Sequence, residues 1–134
     1  MDTKGPQRAS RVLLVERDPQ LGALLERALR RDGHAPIRVD SGVDALLAMR
    51  DNTVHLVIAE LELRDMTGVD LMRAVRRSGR DCRVALLSQD DSDVLQREAT
   101  DAAVDALLQA PISPGRVCAL ATLHHPKARK VGEA

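Results

Sequence analysis

The 134-residue sequence contains no phenylalanine, tyrosine or tryptophan. Without aromatic rings, the protein has no platform on which nucleic-acid bases stack and no cage for a quaternary ammonium group. Binding classes that depend on such rings are therefore excluded. The core has to be built from aliphatic side chains and methionine.

The sequence also has no net charge, few cysteines and no long apolar segment. Twenty basic and twenty acidic residues sum to zero, which argues against a partner attracted mainly by charge, such as bulk nucleic acid or an anionic membrane. The two cysteines, Cys82 and Cys118, are interpreted as small apolar residues of a reduced protein. With no signal peptide and no apolar stretch of about 18 residues, we expect a cytoplasmic protein.

What the sequence does contain is an alternation of short apolar runs with amphipathic segments. The predicted strands are residues 12–15, 35–39, 56–60, 84–88 and 105–109. The predicted helices are residues 19–32, 42–50, 68–77 and 114–123, together with a fourth helix that starts within residues 89–93 and ends at about residue 101. Such alternation predicts a doubly wound parallel sheet with right-handed crossovers and helices on both faces. Pro36 cannot donate to a strand ladder, so the second strand is predicted at an edge.

The folded domain is predicted to span residues 11–124. The polar segments 1–10 and 125–134 are interpreted as a flexible N-terminal lead and a flexible C-terminal tail. Helical spacing also predicts which side of the second helix faces the core. That inner face is expected to contain Val43, Leu46 and Leu47.

Several predicted strands end in residues that are candidates for a functional site. Glu16 and Arg17 follow the first strand, Glu60 ends the third, Ser88 ends the fourth, and Ala110 follows the fifth. The carboxyl ends of parallel strands meet at one edge of a sheet, so these positions are expected to converge on one rim. Sites in open α/β sheets are built at that rim, which makes Glu60 the central candidate.

The order of the elements and three short motifs resemble the receiver domain of two-component response regulators. The motifs are Val-Glu-Arg-Asp-Pro after the first strand, Arg-Asp-Met-Thr-Gly after the third and Ala-Pro-Ile-Ser-Pro after the fifth. The resemblance implies a flavodoxin-like (βα)5 fold with strand order 2-1-3-4-5. It also implies a role in bacterial phosphorelay signal transduction, where a histidine kinase phosphorylates an aspartate at the end of the third strand.

This chain departs from the family pattern at several positions. The phosphoacceptor-equivalent position is Glu60, and the two acidic positions that hold Mg²⁺ in the family are Glu16 and Arg17. Ser88 keeps the switch hydroxyl, whereas the lysine-equivalent position is Ala110. The position of the switch aromatic is occupied by Leu107.

These departures predict the loss of phosphotransfer. Mg²⁺ requires oxygen ligands, and the guanidinium of Arg17 has none. Glu60 carries its carboxylate about 1.5 Å further from the backbone than aspartate would, and Ala110 lacks the cation that pairs with phosphoryl oxygens. We therefore predict no enzymatic activity, no cofactor and no bound Mg²⁺, and we hypothesise a permanent Arg17–Glu60 ion pair.

The sequence thus predicts a stand-alone pseudo-receiver, a phosphorylation-independent protein-interaction module in bacterial signalling. Two alternatives stay open: a conventional phosphorelay receiver with unusual acceptor chemistry, and a small-molecule sensor that uses the crevice beside Glu60 and Ser88. An enzyme of the same topology is disfavoured, because the sequence lacks a glycine-rich phosphate loop and a Cys-His or Ser-His pair.

Two charged helices are candidate docking surfaces for a signalling partner, without direct contact to nucleic acid or membrane. The third helix is basic through Arg73, Arg76 and Arg77. The fourth helix is acidic through Asp90, Asp91, Asp93, Glu98 and Asp101. Contact between the third helix of one copy and the fourth helix of another would give a homodimer. The alternative without a function is that both helices simply face solvent. His34 and His55, at the opposite rim, are assigned no role.

Overall fold

The computed structural model describes residues 10–89 and 93–123. The strands are β1 (Arg11–Val15), β2 (Ala35–Val39), β3 (Leu56–Glu60), β4 (Arg83–Ser88) and β5 (Ala106–Gln109). The helices are α1 (Pro19–Arg31), α2 (Gly42–Asp51), α3 (Gly68–Arg77), α4 (Asp93–Asp101) and α5 (Pro114–Leu123). Apart from the start of α4, which adjoins residues outside the described ranges, these bounds lie within one residue of the prediction. None of the helices in these ranges is long and apolar enough to cross a membrane.

The strands form one parallel sheet in the order β2-β1-β3-β4-β5, which confirms the predicted fold class. Val12 of β1 is in register with Pro36 of β2 and with Leu56 of β3. The strand that contains Pro36 is at the edge, as its missing N–H required. The four apolar residues of β3 that precede Glu60 are completely buried, as expected of a central parallel strand.

Helices cover both faces of the sheet, and each face has its own aliphatic core. Side chains of β1 alternate between the two cores, with Leu13 and Val15 on one face and Val12 and Leu14 on the other. The first core is completed by α2, α3 and α4 through Ala45, Met49, Leu71, Met72, Val75, Leu95 and Ala99. The second core is completed by α1 and α5 through Leu25, Leu29, Val117 and Ala121.

The inner face of α2 differs from the prediction. Val43 and Leu47 are 52% and 44% exposed, whereas Gly42, Ala45 and Met49 are buried. The start of the helix explains the difference, because a Cβ on Gly42 would lie only 2.4 Å from the sulfur of Met66. The side of α2 that bears Gly42, Ala45 and Met49 therefore faces inward. Leu46 is partly buried and packs against the core as predicted, whereas the predicted assignment of Val43 and Leu47 is wrong.

The predicted lead and tail lie outside the described residues, with the exception of Ser10. Ser10 is buried, and its hydroxyl donates to the carbonyl of Ala121 at 2.9 Å. Its N–H donates to Nδ1 of His34 at 3.1 Å, and the next N–H, that of Arg11, donates to Nδ1 of His55 at 2.9 Å. Both histidines therefore hold the start of β1, a structural role that the sequence did not indicate.

Candidate functional site

The carboxyl ends of the strands surround a cavity of about 370 Å³. It is lined by Glu16, Arg17, Leu21, Glu60, Leu61, Glu62, Leu87, Ser88, Gln89 and Ile112. The structure thus brings together four of the positions singled out in the sequence: Glu16, Arg17, Glu60 and Ser88. Glu62 was missed, although its place two residues after Glu60 was the signal that could have found it.

The junction between β3 and α3 fixes the backbone of Glu60. Thr67 caps α3 by accepting the N–H of Asp70 at 3.0 Å, so the helix begins at Gly68. A Cβ on Gly68 would lie 2.5 Å from the carbonyl oxygen of Glu60. Only glycine lets the first turn of α3 lie this close to the end of β3.

Glu16 is the buried acid of the site. The residue is 2% exposed, and its Oε2 accepts the backbone N–H of Asp18 at 3.1 Å. Its Oε1 is also buried, and no hydrogen-bond donor of the described residues reaches it. The group that it meets is the carboxyl of Glu60.

Two adjoining carboxyl groups cannot both ionise without strong repulsion. Burial, and next the side-chain hydrogen bond with Glu60, raise the pKa of Glu16 to about 8. At neutral pH the Glu16 carboxyl is therefore protonated and donates to the Glu60 carboxylate. The pair therefore holds one proton and carries a single negative charge.

Arg17 does not form the predicted side-chain ion pair with Glu60, so that prediction is wrong. Its guanidinium lies beside Glu62, with Nη2 4.0 Å from Oε1, and the two side chains are 50% and 73% exposed. The backbone N–H of Arg17 instead donates to Oε1 of Glu60 at 3.3 Å. At the rim the guanidinium keeps its hydration, which it would lose in a buried pair.

The remaining predicted positions differ in burial. Ser88 is buried and contributes to the cavity lining, and its carbonyl accepts the N–H of Ala110 at 2.8 Å. Ala110 is exposed, and its side chain, unlike that of a lysine, has no positive charge. Leu107 is half-buried and packs against the core formed with α2, α3 and α4.

The basic surface of α3 is partly used inside the molecule. The Arg76 guanidinium donates to the carbonyls of Cys82 and Ala103, each at 2.8 Å, and to Oδ2 of Asp105 at 2.8 Å. Arg76 therefore ties α3 to the segment that precedes β5 and is not a free docking residue. This role was not predicted, because the two segments are distant in sequence.

The other charged positions are placed only in part. Arg77 is exposed and Arg73 is half-buried on α3, while Glu98 and Asp101 are exposed on α4. Asp90, Asp91 and the side chain of Asp93 lie outside the described residues. Within the described ranges, no three His, Cys, Asp or Glu side chains are arranged as a group that could hold a metal ion.

Comparison with known proteins finds several relatives of this chain. Residues 12–122 match the response regulator receiver domain family. The two-component response regulator ORR3 of Oryza sativa subsp. japonica is 30% identical over 124 residues, 90% of this chain and 95% of that protein. The DNA-binding response regulator MtrA of Mycolicibacterium smegmatis is 30% identical over 110 residues, 81% of this chain but only 47% of that protein.

Solved structures show the same fold. The signal receiver domain of a putative Luxo repressor protein from Vibrio parahaemolyticus superposes with a TM-score of 0.83 at 24% identity, covering 93% of this chain and 96% of that one. Chemotaxis response regulator CheY4 of Vibrio cholerae gives a TM-score of 0.78 at 18% identity, covering 84% and 95%. At such identities the likeness concerns the fold alone.

Proposed function

This chain belongs to the response regulator receiver domain family of two-component signalling, and we propose that it acts there as a protein-interaction module without phosphorylation. The observation that carries the proposal is the charge environment of Glu60. Among the described residues, the guanidinium of Arg17 is directed to Glu62, and position 110 is alanine. The acceptor-equivalent carboxylate is thus left beside another carboxyl group.

Phosphoryl transfer depends on positioned cations that neutralise charge on the transferred group. In this cavity Glu16 and Glu60 neutralise part of their own charge by sharing a proton, which brings no cation to an incoming phosphoryl group. Arg17 removes an oxygen ligand from the position where Mg²⁺ would be held. These features support a site that stays in one state and a protein that signals through its surface.

The experiment is exposure to acetyl phosphate with MgCl₂, followed by intact mass spectrometry. We expect no gain of a phosphoryl group. The variant Arg17→Asp/Glu60→Asp/Ala110→Lys restores the family residues and is the positive control, because it supplies the missing ligand, acceptor and cation. A phosphoryl gain in the wild type that Glu60→Gln abolishes would show a working receiver and overturn the proposal.

The docking surface is proposed on α3 and α4. Arg73 and Arg77 are the candidate residues on α3, because Arg76 is held by Asp105. A partner identified by affinity capture, or a second copy of the chain, should lose binding to Arg73→Glu/Arg77→Glu. The matched control Arg27→Glu/Arg31→Glu reverses two exposed charges on α1, and equal losses in both variants would contradict this assignment.

A second candidate function is a small-molecule sensor. It is favoured by the cavity of about 370 Å³, which lies within the range of about 300–1,000 Å³ typical of ligand pockets. Its lining combines convergent polar groups with apolar side chains from β4, α1 and the segment between β5 and α5. A ligand-dependent thermal shift of the isolated protein, in the absence of any partner, tests it.

A further inference from the structure

The start of β1 is held by two imidazole rings, one from each neighbouring strand. His34 comes directly before β2 and His55 directly before β3, the two strands that pair with β1. Nδ1 of His34 accepts the N–H of Ser10 at 3.1 Å, and Nδ1 of His55 accepts the N–H of Arg11 at 2.9 Å. A ring nitrogen accepts a hydrogen bond only while it carries no proton. These two consecutive amides are therefore held by neutral imidazoles.

The contacts of the other ring nitrogen agree with a neutral His34. Nε2 lies 3.3 Å from the hydroxyl oxygen of Thr122 on α5. That hydroxyl donates its own hydrogen to the carbonyl of Cys118 at 3.2 Å, so its oxygen is left to accept from Nε2. The proton of the ring is thus on Nε2, and the unprotonated Nδ1 is directed at Ser10. The side chain of His34 is only 2% exposed, so water does not compete for these contacts.

A second proton on this ring would meet one attractive and one repulsive neighbour. Asp32, the residue that follows α1, places Oδ2 3.3 Å from Nε2, and its carboxylate favours a charged imidazolium. A hydrogen on Nδ1, in contrast, would point at the N–H of Ser10, and two donors repel each other. On the α5 side, burial and next Asp32 raise the pKa of the Cys118 thiol, so this thiol stays neutral while histidine titrates. The charged ring therefore keeps Asp32 and loses Ser10.

Ser10 connects this ring to two further elements. The residue is completely buried, and its carbonyl accepts the N–H of Ala35, the first residue of β2, at 2.9 Å. Its hydroxyl donates to the carbonyl of Ala121 on α5 at 2.9 Å. A buried N–H without an acceptor is costly, so a protonated His34 favours movement of Ser10 into water. Such movement breaks the hydrogen bond between Ser10 and the last turn of α5.

We propose that His34 is a proton-operated latch, which releases Ser10 and with it the attachment of β1 to α5 when the surroundings become acidic. Histidine is the side chain that changes charge between about pH 5 and pH 8. Solvent supplies the proton, which binds to Nδ1, and the resulting imidazolium pairs with Asp32. The latch lies at the rim opposite Glu60, so this response is separate from phosphotransfer, which the acetyl phosphate experiment tests.

The test is NMR spectroscopy of the isotope-labelled full chain between about pH 7.5 and pH 5, the range in which histidine titrates. At the upper pH, long-range proton–nitrogen correlation spectra should show His34 with its proton on Nε2 alone. As the ring takes up a second proton, the protection of the Ser10 amide against hydrogen exchange should fall about tenfold, the effect of losing one hydrogen bond.

The amide of Leu13 is the internal reference, because this residue lies in the buried middle of β1 and should keep its protection. Equal losses of protection at Ser10 and Leu13 would show a general loss of stability and overturn the proposal. A proton on Nδ1 of His34 at the upper pH would overturn it as well.

Two asparagine variants assign the response to one ring. His34→Asn supplies an amide oxygen that accepts a hydrogen bond but does not titrate, so Ser10 should stay protected at both ends of the pH range. His55→Asn is the matched control, because it replaces the other imidazole and should leave the acid response of Ser10 in place. A response that persists in His34→Asn contradicts the latch.

Asp32 provides a test that leaves the buried ring intact, which keeps the proposal falsifiable if His34→Asn does not fold. Asp32→Asn removes the carboxylate that attracts the charged ring, and the Ser10 response should move to lower pH by about half a unit, as expected for a half-exposed ion pair. Asp51→Asn removes an exposed carboxylate at the end of α2 and should leave the response where it is in the wild type. Equal shifts in the two variants, or no shift in Asp32→Asn, would contradict the pairing of the charged ring with Asp32 and overturn the switch.

Discussion

At the scale of single residues, Glu16 decides the electrostatics of the site. The backbone places it at the end of β1, where it is buried against Glu60. Burial disfavours the charged form, and a neighbouring carboxyl disfavours it further. A glutamate at this position thus behaves as a neutral hydrogen-bond donor near pH 7, although its type alone indicates an anion.

This raised pKa predicts how stability changes with pH. The pKa of Glu16 is about 8 in the folded protein against an ordinary value of 4.5, so between these limits the folded state holds a proton that the unfolded state has lost. The free energy of unfolding therefore falls as pH rises through this window and levels off above it. Glu16→Gln should remove this fall and stabilise the protein at about pH 9 by about 1–3 kcal/mol.

Urea denaturation followed by far-UV circular dichroism at about pH 5 and pH 9 measures this effect. The control is Glu98→Gln on the exposed surface of α4, which should keep the pH dependence of the wild type. If Glu16→Gln keeps the same pH dependence as the wild type, Glu16 does not hold the proton.

His34 gives a second prediction at the residue scale. Its Nδ1 accepts the N–H of Ser10, and its side chain is 2% exposed. His34→Leu leaves this buried N–H without an acceptor and should lower the free energy of unfolding by about 1–3 kcal/mol. His34→Asn places an amide oxygen near the position of Nδ1, so its free energy of unfolding should fall by less than that of His34→Leu. Urea denaturation compares the two variants, and equal losses would show that packing alone matters.

At the scale of elements, the junction of β3 with α3 controls where Glu60 lies. Gly68→Ala would place a Cβ 2.5 Å from the carbonyl oxygen of Glu60, and backbone at that point cannot move freely. We expect a loss of about 1–3 kcal/mol in the free energy of unfolding. Gly115→Ala in α5 is the matched control, because its Cβ would have only an ordinary contact of 3.6 Å to Ser113.

Thermal unfolding followed by far-UV circular dichroism compares these variants. Gly115→Ala should equal or exceed the wild type, since alanine favours helix more than glycine does. Equal stability of Gly68→Ala and Gly115→Ala would contradict the close approach of α3 to β3.

The elements also show which structural features can be predicted from the sequence. Ser41 caps α2 by accepting the N–H of Asp44, and Ser113 accepts the N–H of Arg116 at the start of α5. The strand with Pro36 lies at the edge of the sheet, as predicted. All three features follow from local chemistry. The rotation of α2 about its axis does not follow from local chemistry. Val43 and Leu47 have the apolar character of a core face, but Gly42, which lies against Met66 from a loop outside the helix, is buried together with Ala45 and Met49.

At the scale of the whole molecule, one sheet joins two cores. Leu71 of α3 and Leu25 of α1 are both completely buried, on opposite faces. Leu71→Ala and Leu25→Ala should each lower the free energy of unfolding by about 2–5 kcal/mol. Because both cores share the sheet, we expect a single unfolding transition in each variant.

Far-UV circular dichroism and methyl NMR signals, recorded across the same urea series, check this prediction. The two probes should give coincident midpoints in each variant. Separate midpoints would show that the faces unfold independently and that the sheet does not couple them.

The sequence by itself determined the fold class, the strand order expected from the family resemblance and the convergence of Glu16, Glu60 and Ser88 on one rim. These follow from periodicity and from the rule that parallel strands end on the same side. Only the tertiary structure decided that Arg17 turns to Glu62, that Glu16 meets Glu60 and that Arg76 ties α3 to Asp105. Periodicity fixes which face a residue occupies, whereas charge pairing depends on a few ångströms between side chains from segments distant in sequence.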